Sequence, residues 1–473
     1  MHVVVLLGFM VALAVPPQIP LAEVTGWQLA AALLGYLVIT ALLGLADAGA
    51  SLKGLGGETS VPSRILHRHH RMAVISQAWL VAGMAVLASL GWSWWVNVRL
   101  DIARWPLVGD LLAAGPFLLA LPLMWLMQYP VHRAVRLRMA AAMAERGERP
   151  VACWSLREYM GFNLRHQLLF IAVPISLILF GVECLDLLLI PADYRPGSDP
   201  ALEAVYAAGS LAVAGLVFLA APLLLIRIWK THPLPPSPLR DQLEQTCDRM
   251  GVGHRDILVW ESGGVLVNAA AMGLIARVRY ALLSDALLEQ MDREHVRAVF
   301  AHEVAHARMH HILFAALFAM AAATCSSAAG VALAAWLGLE PWMQQTLTVV
   351  LLAGSWVFGF GFVSRRFERQ SDVIGAWASG PGGPPDDPAE TRITPAGAIV
   401  FAQALQRVAD LNGVPLSQRN WRHGKMVDRV AHIQMLGMTG GTREGIDRSV
   451  RRIKLALTAA FLLGVSVIVL QIS

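Results

Sequence analysis

His302 and His306 stand four residues apart in His302-Glu303-Val304-Ala305-His306, with a carboxylate beside the first imidazole. On an α-helix such residues are neighbours, so both rings can reach one cation. Glu303 then lies where a carboxylate can take a proton from a water held at that cation. The preceding residues, Asp292 to Phe300, carry charge early and contain no Gly or Pro, which suits a helix. Five residues of this pattern recur by chance, so a third ligand decides the matter. Ser364-Arg365-Arg366-Phe367-Glu368-Arg369-Gln370-Ser371-Asp372 supplies a candidate. Glu368 can complete a His, His, Glu set, and Asp372, four residues on, shares its helical face and can hold a ligand imidazole in one tautomer. Alone, the segment reads as a basic membrane-flanking helix with ordinary intrahelical pairing. Two apolar runs between the motifs form a hairpin that returns the chain to the same side, and this favours the metal site.

The elements that must position these residues sit in an apolar chain. Of 473 residues 56% are hydrophobic and 15% charged, and the mean hydropathy is +0.55. That excludes an ordinary soluble protein. Apolar runs at about 27–46, 73–98, 111–128, 167–190, 203–228, 312–338, 346–363 and 453–471 approach the roughly 20 residues a membrane helix needs. Val3 to Val15 is shorter. It lacks a basic leader and a clean small-x-small site, so a short first membrane helix is preferred to a cleaved signal.

Loop charge sets the expected orientation. Lys53, Arg64, Arg68 and Arg71 fill one loop, and Arg133, Arg136, Arg138, Arg146, Arg149, Arg157 and Arg165 another. The alternate loops hold only Arg99 and Arg104, Arg195, or no basic residue. Excess Lys and Arg marks the cytoplasmic side, so with nine spans 229–311 and 364–452 face the cytoplasm. Anionic lipid headgroups account for the formal net charge of +5, and no nucleic-acid partner is expected.

Cys153, Cys184, Cys247 and Cys325 have no CxxC spacing and read as small apolar residues. His67-Arg68-His69-His70-Arg71 reads as a solvated basic loop in preference to a metal cluster, and His310 and His311 as interfacial. Glu183 and Asp186 lie inside an apolar run, where a carboxylate in lipid is costly. They imply a face towards water or protein, or else snorkelling or helix packing. Pro-rich 232–238 reads as a linker, Leu239 to Met250 as an amphipathic helix, and Ser379 to Pro388 as a mobile loop. Ile257 to Trp260 and Val265 to Ala269, around the turn 261–264, predict a β-hairpin. A third strand at about Ala276 to Leu282 leads to a helix over Ala286 to Met291, capped by Ser284-Asp285.

Over about 240–435 the chain resembles the membrane-embedded gluzincin metallopeptidases, which include the type I CAAX prenyl proteases and the HtpX-type quality-control proteases. Ser284-Asp285-Ala286-Leu287-Leu288 and Ala298-Val299-Phe300-Ala301-His302-Glu303 are similar to the family's lead into its zinc helix. Phe367-Glu368-Arg369-Gln370-Ser371-Asp372 is similar to its ExxxD motif, with Ser371 where Ala is usual. Asn268-Ala269-Ala270-Ala271-Met272-Gly273 looks like the edge strand to which an extended substrate adds. Trp421 to Arg429 resembles a later HP…R element, with Gly424 in place of Pro.

The resemblance implies a polytopic, mainly α membrane protein of about nine spans with a small α/β zincin-type unit. The expected parts are a helix bundle at 1–230, a metallopeptidase domain at 231–452 interrupted by a membrane hairpin at about 312–363, and a last helix at 453–473. It further implies one zinc ion on His302, His306 and Glu368, backed by Asp372, with Glu303 and His423 catalytic and Asn268, Ala269 and Arg429 at the substrate. The expected partners are a peptide or protein substrate and the lipid bilayer. The expected place is the bacterial inner (cell) membrane, with the active site towards the cytoplasm. Six runs before the motif are nearer the CAAX prenyl protease plan than the HtpX plan. HtpX-like quality control and a sensor-type metalloprotease are the alternative readings, and a non-catalytic scaffold ranks last.

Overall fold

A computed structural model describes residues 2–14, 24–54, 63–102, 105–145, 147, 150, 152–191, 193–195, 198–385, 387 and 390–472. The chain divides into two compact units, Met1–Trp229 and Lys230–Ser473.

The first unit is a bundle of apolar helices. Gly26–Gly54, Ser63–Ser89, Gly115–Glu145, Leu156–Leu189 and Pro200–Ile228 are its long members, with the shorter His2–Ala14 ahead of them. A few buried polar groups knit them, as is usual where apolar packing alone gives little preference between helices. Tyr36 Oη donates to Leu80 O at 2.8 Å, and Trp79 Nε1 donates to Thr40 Oγ1 at 3.0 Å. Glu183 accepts a hydrogen bond from the Leu107 backbone N–H, so of the roles expected for it the structure shows a packing one. Residues 67–71 continue the helix Ser63–Ser89 and are not a loop. The cysteines at 153, 184, 247 and 325 are all free thiols.

Among the described residues six helices are long and apolar enough to cross a membrane: Gly26–Gly54, Arg71–Ser89, Leu156–Leu189, Pro200–Ile228, His311–Leu337 and Met343–Ala378. The expected count of about nine is therefore not reached on this criterion. The first apolar run forms a shorter helix, Val4–Leu13. Gly115–Glu145 and Glu444–Ile472 are helical but fall outside the set; Pro122 and Pro130 interrupt the apolar half of the former.

The second unit is built on a four-stranded sheet: β1 (Thr231–Pro233), β2 (Asp256–Trp260), β3 (Ala269–Met272) and β4 (Tyr280–Ser284), in the order β1-β2-β4-β3. β2 and β4 pair in parallel, from Asp256 opposite Tyr280 to Trp260 opposite Ser284. This corrects the expected hairpin. The Asp285 carboxylate takes the backbone N–H groups of Ser262 and Gly264 at 3.1 and 3.0 Å, which pins the turn to the start of the next helix. The Asn412 amide then meets both backbone groups of Val267, at 3.1 and 2.8 Å, in the manner of a strand neighbour. Backbone groups thus satisfied need no ladder, and the chain goes on to place β3 antiparallel to β4. The Pro-rich stretch is likewise more than a linker, because Thr231–Pro233 is an edge strand, where proline is tolerated.

Helices cover this sheet and carry the site. Pro238–Arg249 opens on Ser237, which accepts from Arg240 N, and Asp285–Gln290 opens on Ser284, which accepts from Leu287 N. Arg249 Nη1 donates to Gly382 O and Pro384 O, both at 3.0 Å, so the Gly/Pro run expected to be mobile is anchored there. The helices His311–Leu337, Gly361–Ala378 and Glu444–Ile472 share a core of Phe318, Ala322, Val363, Phe367 and Val450. The last helix is therefore packed into the second unit.

Candidate metal centre

The motif helix spans Arg293–Arg308, capped by Asp292, whose side chain accepts from His295 N at 3.0 Å. It ends at Met309, and His310 takes a left-handed φ of 55° that turns the chain straight into the membrane helix at His311. The carboxylate helix Gly361–Ala378 lies against it and buries Glu368 and Asp372. The intervening apolar hairpin thus does what the sequence requires of it.

Three donors converge between these helices. His302 Nε2 lies 3.2 Å from His306 Nε2 and 3.6 Å from Glu368 Oε2, and His306 Nε2 lies 3.8 Å from Glu368 Oε1. A tetrahedral zinc ion with ligand bonds of about 2.0–2.1 Å holds its donors about 3.3 Å apart. These side chains therefore fit such an ion in donor type and spacing, and they form a metal-capable group among the described residues. Their electrostatics agree. Burial favours the neutral His302 ring, yet hydrogen bonds and charge from Asp372 and Glu368 push it up to about 10, so the pocket favours positive charge at that point. Burial holds His306 down at about 3, in the neutral form a ligand needs.

The remaining sequence candidates surround the three donors. Asp372 Oδ1 sits 3.1 Å from His302 Nδ1, somewhat off the ring N–H axis. Arg429 clamps that carboxylate, Nε to Oδ2 at 2.8 Å and Nη2 to Oδ1 at 2.6 Å, and Nη2 also lies 3.4 Å from Glu368 Oε2. His423 Nδ1 lies 2.9 Å from Glu368 Oε1, with the ring 40% exposed. Its loop is held by Asn420 Oδ1, which accepts from the backbone of Arg422 and His423. Gly424 there has φ +80°, which the proline of the related motif could not adopt, so the loop takes its own course.

Glu303 borders β3. Burial pushes its carboxyl up to about 7 against the pull of His302, and the Ala271 backbone N–H hydrogen-bonds it. Since β3 is the sheet's outer strand, its free edge runs beside that carboxylate. Asn268 is exposed at the head of this strand, and its backbone exchanges hydrogen bonds with Ser284, at 3.0 and 2.9 Å; Ala269 is buried.

Sequence reasoning missed His311 and Gln370. His311 begins the membrane-length helix as expected but is buried, 3% exposed, with its Nδ1 3.0 Å from His306 Nδ1.

Residues 233–384 match peptidase family M48. Two similar relatives are HtpX protease homologues of Bordetella petrii and Bordetella avium, 35% and 38% identical over 68 residues, or 14% of this chain. The chain spans 22% of the length of these relatives. Among solved structures it is similar to Ste24p of S. mikatae, with a TM-score of 0.51 and 15% identity, over 87% of this chain and all of that one. That likeness concerns the fold. With the His302, His306 and Glu368 geometry inside the matched stretch, residues 233–384 form a peptidase family M48 domain, set in a membrane-embedded chain.

Proposed function

We propose that this chain is a zinc-dependent membrane endopeptidase that cleaves membrane-associated or cytosol-facing polypeptides. One observation carries the reading: two imidazoles and a buried carboxylate converge within 4.8 Å of one another, beside a second carboxylate at an open sheet edge. His302, His306 and Glu368 would hold the ion. Bound there, zinc supplies Lewis acidity, making water more acidic and offsetting negative charge at a substrate carbonyl.

The chain's own groups do the rest. Glu303 receives the proton of the attacking water and passes it to the departing amine. Its raised pKa suits that exchange near neutral pH. The outward-facing backbone of β3, from Ala269 onward, pairs with an extended peptide, main chain to main chain, with the exposed Asn268 at the head of that edge, and this holds the scissile bond beside Glu303 with little sequence demand. His423, already turned towards Glu368, can in its doubly protonated form give the other ring N–H to the carbonyl oxygen as charge develops there. Asp372 fixes the His302 ring, and Arg429 holds Asp372 in place.

The helix bundle ahead of the domain and the Ste24p-like fold favour the many-helix, CAAX prenyl protease-like architecture. The HtpX similarity of 35–38% favours a second reading, quality control of membrane proteins. The loop charges support a site facing the cytoplasm, and the Bordetella relatives support a bacterial cell membrane.

Glu303→Gln tests the mechanism. The variant is expected to retain about one zinc per chain by metal analysis and to lose cleavage of a membrane-protein substrate mixture. Wild-type turnover in that variant would sink the mechanism, and a native preparation without zinc would sink the whole reading.

A further inference from the structure

Each imidazole of the metal centre has a second nitrogen, and the two are backed differently. His302 Nδ1 meets the Asp372 carboxylate directly. His306 Nδ1 instead faces another imidazole, His311 Nδ1, at 3.0 Å. His311 Nε2 lies 2.8 Å from Gln370 Oε1, and Gln370 Nε2 donates to Asp447 Oδ1 at 2.6 Å. His311 is 3% exposed and Gln370 fully buried, so neither can exchange these bonds for water. The Asp447 side chain is 32% exposed and lines a surface pocket with Arg448 and Arg451.

The protonation pattern follows from the acceptors. A neutral imidazole has one N–H. If His306 Nε2 keeps its lone pair for a cation, its proton is on Nδ1 and must be accepted. His311 Nδ1 accepts it, so the His311 proton is on Nε2 and goes to the Gln370 carbonyl oxygen. The Gln370 amide then donates to a carboxylate. Every bond points from the metal centre towards Asp447. Phe367 fixes the His311 plane, stacked at 4.2 Å with an interplanar angle of 3°. Ser371 Oγ, 3.4 Å from His311 Nδ1, adds a hydroxyl where the related motif has a methyl.

We infer that His311, Gln370 and Asp447 form a hydrogen-bonded chain that positions His306 as a ligand and sets its tautomer, in parallel with Asp372 and Arg429 behind His302. His311 is thus a positioning residue. This rests on the zinc reading of the site.

The test compares two His311 variants with opposite demands, in full-length protein purified in detergent. His311→Phe preserves the stack on Phe367 but removes the acceptor. His311→Asn removes the stack but can keep an acceptor near His306 Nδ1. Zinc affinity is read by competition with a chelator, and ligand geometry by the visible absorption of the cobalt-substituted protein. His311→Phe is expected to weaken zinc about 10–100-fold and to shift the cobalt bands, the range seen when the partner of a ligand imidazole is lost. His311→Asn is expected to recover most of that loss. Asp447→Asn, at the exposed end of the chain, is expected to weaken zinc less but in the same direction, and serves should the His311 variants fail to fold. A packing role for His311 predicts the reverse order, with Phe tolerated and Asn harmful, and that order overturns the inference. Unchanged affinity in both His311→Phe and Asp447→Asn also overturns it while leaving a zinc-loaded, active wild type in place. A wild type without zinc removes the peptidase reading and this inference together.

Discussion

At the residue scale, the centre depends on buried charges held by other charges. Asp372 is 2% exposed and receives two hydrogen bonds from Arg429. Removing one partner of such a pair leaves the other ionised and unpaired, which typically costs about 3–5 kcal/mol. Arg429→Met is therefore expected to lower the unfolding midpoint in detergent and to loosen zinc. Arg429→Lys is expected to recover only part of this, because an ammonium group cannot reproduce the two-pronged contact. Equal midpoints for wild type and Arg429→Met would show that Arg429 does not hold Asp372. The residue types were legible in sequence: His302, His306, Glu368, Asp372 and Arg429 all meet at one centre. What spacing did not reveal is the use of Arg429, whose Nε and Nη2 are both spent on the carboxylates.

At the scale of elements, β3 is the part most dependent on a single backbone conformation. Gly273 ends it with φ +105°, and a Cβ there would fall 2.3 Å from Val278 O. Gly273→Ala must displace either the strand end or the turn leading to β4. Such strain is worth about 1–3 kcal/mol. The expected outcome is a lower unfolding midpoint and a raised KM, because the substrate-pairing edge moves; an unchanged KM would argue against peptide addition at β3. The helices around the site were largely readable from residue type, as in the cap at Ser284 and the charged lead from Asp292 into the motif helix. The sheet was not. Short apolar runs at 257–260 and 265–269 on either side of a Gly-containing turn suit a hairpin, and nothing local reveals that Asp285 and Asn412, distant in sequence, satisfy the intervening backbone.

For the whole molecule, loop charge bears on orientation across the membrane. If 364–452 is cytoplasmic, green fluorescent protein inserted in the Gly/Pro run at 381–385 should fluoresce, and alkaline phosphatase inserted there should be inactive. Active phosphatase at that position would reverse the assignment and move the metal centre to the outer face. The sequence by itself determined the chemistry and the solvent: ligand types four apart on helices, and apolar runs long enough to make lipid the environment. The tertiary structure alone decided which nitrogen faces the metal centre, that β2 runs parallel to β4, and that His311 is buried behind His306. The physical reason is that helix periodicity and hydropathy are local properties of the chain. A ring's tautomer and a strand's neighbours are set by partners such as Gln370 and Asn412, 59 and 145 residues away.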